Sequence, residues 1–133
     1  MPALFPHPDK PDAPYAGAAV HNGTVWACGQ VPVRPDGTIP GGIGDQVHVA
    51  LDNLERTLAV AGADLTTLLK LTVYLADLDE FDAYNSAYLE RLSGLPLPPR
   101  TTVEVARFRG DKRIEIDAVA AIRSDVDTGS RSH

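Results

Sequence analysis

Cysteine is almost absent from this 133-residue chain: Cys28 stands alone, so no disulfide can close within it and no thiolate-rich metal site can be assembled. A reducing compartment suits such a chain. Long apolar runs are absent as well. Nothing nears the roughly eighteen consecutive apolar residues of a membrane span, and the opening Met1-Pro2-Ala3-Leu4-Phe5-Pro6 has neither the basic start nor the apolar core of a secretory leader. The expectation is a soluble, cytoplasmic protein with no membrane partner. Positive charge is scarce: twelve Lys and Arg against eighteen Asp and Glu leave a formal charge of −6. Lys10, Lys70 and Lys112 lie far apart and the arginines are dispersed, so a phosphate backbone finds no basic face and nucleic acid is not expected as a partner. No Gly-x-Ser-x-Gly elbow, P-loop, dinucleotide glycine fingerprint or metal-spaced histidine pair occurs. His7, His21, His48 and His133 share no spacing and read as surface or turn residues.

What is present is the balance of one globular domain, 44% hydrophobic and 23% charged, in a length that would leave two domains too little core each. Pro2, Pro6, Pro8 and Pro11 fix φ and remove donors at the start, so residues 1–14 are expected as an extended N-terminal arm, 15–123 as the domain, and 124–133 as a flexible polar tail. Asn22-Gly23 between Ala18-Ala19-Val20 and Thr24-Val25-Trp26-Ala27-Cys28 predicts a β-hairpin, because both turn residues tolerate positive φ. Ile43, Val47, Leu51, Leu54 and Leu58 recur at helical spacing, and Gly62 suits the helix stop.

Alternation over residues 69–76 predicts a strand with Leu71, Val73 and Leu75 on one face and Thr72 and Tyr74 on the other. Asp77, Asp79, Glu80 and Asp82 then sit where a second helix begins, favoured by its dipole, with Phe81, Tyr84, Tyr88 and Leu92 as its apolar stripe. Strands follow at 100–106 and 114–122, separated by an Arg109-Gly110-Asp111 turn. The order ββαβαββ predicts an α+β fold with two helices on one face of a mixed sheet. The other face is expected to carry Val119 and Ala121 with Glu115, Asp117, Thr102 and Glu104. That mixture is too apolar for open water and too polar for a core, and burial against identical subunits explains it.

The stretch most suggestive of chemistry is Leu97-Pro98-Pro99-Arg100-Thr101-Thr102-Val103-Glu104-Val105, where stiff prolines deliver an arginine to the first position of a strand. Its guanidinium fork matches a carboxylate bidentately and stays charged at any physiological pH. A structural salt bridge is the alternative reading of Arg100. Glu115 could likewise be a strand-face glutamate paired with a neighbouring cation, and Tyr15 an aromatic plug at a subunit seam.

The chain also resembles a known family, the RidA-like (RidA/YjgF) reactive intermediate, or enamine/imine, deaminases, from about residue 13 to 122. The resemblance rests on Ala13-Pro14-Tyr15, Cys28-Gly29-Gln30-Val31-Pro32, Leu51-Asp52-Asn53-Leu54, Val73-Tyr74-Leu75-Ala76-Asp77-Leu78-Asp79-Glu80-Phe81, Tyr84-Asn85, Pro99-Arg100-Thr101-Thr102-Val103-Glu104-Val105 and Ile114-Glu115-Ile116-Asp117-Ala118, in that order. It implies a chorismate-mutase-like fold, a homotrimer with clefts between subunits, and hydrolysis of 2-enamino or 2-imino acids to 2-keto acids and ammonia without metal or organic cofactor. It further implies that Arg100 holds the substrate carboxylate and Glu115 positions the attacking water, while Tyr15, Gly29, Asn85 and Thr102 line the cleft. Two other readings share these residues: a pathway-specific imine or aminoacrylate deaminase of catabolism, and a non-catalytic ligand-binding or stress-protective trimer. Ala16-Gly17 after Tyr15, and Thr102 where many members carry cysteine, depart from the family pattern and alter the cleft wall.

Overall fold

The computed structural model describes residues 1–124, so the tail expected at 124–133 lies outside the described residues apart from Ser124. The chain forms β1 (Ala3–Phe5), β2 (Ala18–His21), β3 (Thr24–Gln30), α1 (Ile43–Val60), β4 (Leu68–Leu75), α2 (Phe81–Arg91), β5 (Arg100–Glu104) and β6 (Ile114–Ala121). Asn22 at φ 51° and Gly23 at φ 77° make the tight turn between β2 and β3, as their residue types require. Helix α1 buries the predicted stripe of Ile43, Val47, Leu51, Leu54 and Leu58. It stops where Gly62, at φ 86°, takes the left-handed conformation that closes a helix end. The acidic cluster does cap: Asp77 accepts a hydrogen bond from the Asp79 N–H at 2.8 Å, opening the single 3-10 turn that leads into α2.

All six strands join one sheet in the order β1-β2-β3-β6-β4-β5. Neighbours are antiparallel except β4 and β5, which run parallel with α2 in their crossover. The last strand therefore sits in the middle. Its Ile114, Ile116, Ala118 and Ala120 are buried with Val25, Leu71, Val73 and Leu75 beneath α1, and α2 packs beside α1. The sheet is mixed and carries both helices over this buried face, as the pattern predicts.

Two expectations are corrected. The first residues are not merely an arm: β1 pairs with β2 in antiparallel register, and the Gly17 N–H donates to the Phe5 carbonyl at 2.8 Å. The prolines permit this because they flank Ala3-Leu4-Phe5, leaving the three donors between them free to pair at a sheet edge. The second correction concerns Thr102 and Glu104, expected on the open face with Glu115. The parallel register sets Arg100 beside Leu71, Thr102 beside Val73 and Glu104 beside Leu75, so all three share the helix-covered side. The open side carries Glu115, Asp117, Val119, Tyr74, Val103 and Trp26, of which Trp26 remains 55% exposed.

Gln46 joins the helix start to the lead-in of β6. Its amide donates to the carbonyls of Pro40 at 2.8 Å and Asp111 at 3.1 Å, and its oxygen accepts from the Arg113 N–H at 2.7 Å. Because the side chain is 1% exposed, water cannot replace those partners. Gln46→Leu is expected to lower unfolding free energy by about 1–3 kcal/mol, the cost of leaving buried polar groups unpaired, read as a lower urea midpoint at unchanged slope.

Candidate functional site

Around Glu115 the strands are irregular. Between the pairs Ala27–Ala118 and Gln30–Ile116, β3 has one residue more than β6, a bulge that sets Cys28 and Gly29 together against Asp117. A β-carbon at Gly29 would lie 2.0 Å from Glu115 Oε2 and 2.9 Å from its carboxyl carbon. A side chain there would push the carboxylate aside, since it lies directly over the backbone. Among the described residues, no donor bonds to that carboxylate. Burial pushes the Glu115 pKa up, the neighbouring Asp117 pushes it further, and Lys112 opposes both. Asp117 is itself held by the Tyr74 hydroxyl, which donates to it at 3.0 Å. One cleft on this side is lined by Tyr15, Cys28, Gly29, Lys10, Lys112 and Glu115, and an adjoining one by Gly29, Tyr74, Arg107, Phe108 and Glu115. Burial raises the Cys28 thiol pKa, which disfavours the thiolate form.

Tyr15 is half exposed, and its ring meets the edge of His7 at 6.4 Å between centroids. His7, expected at the surface, is 9% exposed and accepts from the Asp9 N–H through Nδ1 at 3.1 Å. It is buried because the chain folds back across Gly17, where a β-carbon would come within 2.8 Å of His7 Cα. Burial lowers the His7 pKa and favours the neutral ring. The departure Ala16-Gly17 therefore has a packing cause.

Arg100 lies at the opposite side of the sheet. Its guanidinium carbon stands 4.5 Å from the Tyr88 ring centre, 5.2 Å from Tyr84 and 5.7 Å from Phe81, and its Nη1 donates to Asn85 Oδ1 at 2.8 Å. Three aromatic faces and one amide fix the fork by cation–π attraction and hydrogen bonding. No carboxylate pairs with it among the described residues, so the structural salt bridge is not formed. A cleft beside it is lined by Asn85, Tyr88, Leu89, Leu97, Pro98 and Arg100. The Thr102 hydroxyl meets the Tyr84 hydroxyl at 2.9 Å. Because the carbonyl of Pro99 and the N–H of Val105 bond to β4, the intervening amides of Arg100 and Thr102 face the free edge of the sheet.

The predicted residues thus form two half-sites: Glu115, Gly29 and Tyr15 on one side of the sheet, Arg100, Asn85 and Thr102 on the other. Sequence reasoning missed Tyr84 and Tyr88 as neighbours of Arg100, since their helical spacing reads simply as core. It also missed Lys10, Lys112 and Arg107, which the fold gathers around Glu115 from the N-terminal segment and the connection between β5 and β6. Gly29→Ala is expected to displace the Glu115 carboxylate while preserving the fold, visible as a shifted Glu115 carboxyl titration by NMR with little change in the amide spectrum outside β3 and β6.

Comparison with known proteins shows the family of the chain. The family model described as Endoribonuclease L-PSP matches residues 7–122. The 2-iminobutanoate/2-iminopropanoate deaminase of Rattus norvegicus is 36% identical over 108 residues, covering 80% of this chain and 78% of the relative. Protein mmf2, mitochondrial, of Schizosaccharomyces pombe is 38% identical over 112 residues, with 81% and 87% covered. The crystal structure of E. coli TdcF with bound serine superposes with a TM-score of 0.79 at 30% identity, over 90% of this chain and 94% of that one. YyfA of the Rid protein family from Yersinia pestis gives 0.83 at 28% identity, over 92% and 100%. With the matched segments running through both half-sites, the chain belongs to the RidA/YjgF family, the one described as Endoribonuclease L-PSP.

Proposed function

We propose that the protein hydrolyses 2-imino acids, and the enamines that tautomerise to them, to 2-keto acids and ammonia. The observation that carries this reading is an arginine fork held by three aromatic rings, in a chain that also keeps a partly buried glutamate, neither of them paired with an opposite charge among the described residues. An iminium or imine carbon is already electrophilic, so catalysis needs a fixed carboxylate, a placed water and a proton carrier. Arg100 binds the carboxylate, with Asn85 bracing the guanidinium. Glu115 takes a proton from water as the water oxygen bonds to the imine carbon, giving a carbinolamine, and returns it to nitrogen. Glu115 then takes the hydroxyl proton and passes it to the nitrogen as the carbon–nitrogen bond breaks, the carbonyl forms and ammonia leaves. The relatives named as deaminases support this chemistry, and the formal charge of −6 favours a small substrate over a phosphate backbone.

Arg100 and Glu115 face opposite sides of one sheet, so the working site is assembled between copies, Arg100 from one and Glu115 from the next. The open face supplies a reason for association: Leu4, Ala19, Trp26 and Val119 align across β1, β2, β3 and β6 and include Trp26 and Leu4, 55% and 67% exposed. A homotrimer with three such clefts satisfies both needs.

The test is keto-acid release from imines generated in situ by an amino-acid oxidase in the presence of semicarbazide. Wild type is expected to outrun the trap, Arg100→Ala to raise KM by about 100-fold, as expected for a lost charged hydrogen-bond pair, and Glu115→Gln to lower kcat by about 100-fold or more, the scale of general-base catalysis. Because Glu115 acts as its carboxylate and its pKa is raised, wild-type kcat falls as pH drops through a value above the ordinary carboxylate range, and Glu115→Gln loses that limb. Failure of wild type to accelerate any imine overturns the reading.

A further inference from the structure

The Arg100 half-site contains a residue that touches two of its donors at once. Tyr84, on α2, is 0% exposed. Its ring lies 5.2 Å from the Arg100 guanidinium carbon, and among the described residues its hydroxyl has one partner, Thr102 Oγ1 at 2.9 Å. Distance alone leaves the direction of that hydrogen bond open, but burial decides it. If Thr102 donated, the Tyr84 proton would be buried without an acceptor, and such a group costs more than a hydrogen bond returns. Tyr84 therefore donates and the Thr102 oxygen accepts. The Thr102 proton is then directed away from the core, and Thr102 is partly exposed, two positions along β5 from Arg100 and on the same side of the sheet.

We propose that Tyr84 is a positioning residue for carboxylate binding: its ring face sets the Arg100 guanidinium and its hydroxyl turns the Thr102 O–H outward as an added donor beside it. The inference rests on the reading of Arg100 as the carboxylate ligand. A hydroxyl that accepts one hydrogen bond is polarised toward donating another, so the two links reinforce each other. The pair also explains why threonine is accommodated at position 102: its oxygen satisfies the buried phenol.

The test uses 2-oxobutanoate as a stable carboxylate probe and its methyl ester as the uncharged control, with binding measured by calorimetry and imine turnover in parallel. Tyr84→Phe keeps the ring and removes the hydroxyl. It is expected to weaken 2-oxobutanoate and raise imine KM by about three- to tenfold, the scale of one hydrogen bond, with kcat within about twofold and ester binding unchanged. Thr102→Val should show the same loss, Thr102→Ser should restore near-wild-type binding, and the double variant Tyr84→Phe/Thr102→Val should be no weaker than the worse single variant. Should Tyr84→Phe bind the acid like wild type, or weaken acid and ester equally while Arg100→Ala abolishes acid binding, the positioning role is overturned and the Arg100 reading survives. Unaltered binding in Arg100→Ala overturns the reading beneath it.

Discussion

The parallel pairing of β5 with β4 decides where Arg100 points. Strand side chains alternate with period two, so setting Arg100 beside Leu71 commits it, with Thr102, to the side covered by the helices, where α2 brings Phe81, Tyr84, Tyr88 and Asn85 against it. The antiparallel pairing of β6 with β4 commits Glu115 to the other side by the same rule. A shift by one residue would exchange the faces: in β5 it would turn Arg100 away from the aromatic rings, and in β6 it would turn Glu115 and Asp117 into the core. Pairing register and the separation of the two half-sites are therefore one constraint.

Much of this was legible in the sequence because it depends on local chemistry. Asn22-Gly23 specifies its turn whatever surrounds it, and the five apolar positions of α1 announce one buried face. What stayed illegible depends on pairing partners. Ala3-Leu4-Phe5 is too short to signal a strand until β2 is known to lie beside it. The face of Thr102 could not be read from alternation alone, because alternation says which residues share a side but not which side meets the helices. His7 is buried by a close approach to Gly17, and Gly29 leaves room for a carboxylate 86 positions downstream; both are steric facts of residues distant in sequence.

The partly buried Glu115 carboxylate costs the fold stability. A carboxyl whose folded pKa is raised binds its proton more tightly when folded than when unfolded. Folding stability therefore declines as pH rises from the ordinary carboxylate range through the raised value, and the loss persists above it. The bulge that positions Gly29 also breaks the ladder between β3 and β6. By contrast, Arg100 is held by aromatic faces that leave its fork open toward the cleft. One half-site keeps a carboxylate whose pKa burial raises, and the other keeps a cation that no carboxylate pairs with among the described residues, an arrangement that suits an anionic substrate and an attacking water together.

Under the proposed function these half-sites act only together, across copies of the chain. Arg100→Ala and Glu115→Ala proteins, each strongly impaired alone at a substrate concentration near the wild-type KM, should be mixed, partly unfolded in urea, refolded together and assayed for imine hydrolysis at that concentration. Recovery of a substantial fraction of wild-type activity in the mixture, and none when each variant is refolded separately, is the predicted result, since one cleft then receives an intact Arg100 and an intact Glu115. Mixed oligomers that form, as shown by native mass spectrometry, yet stay inactive would contradict the account.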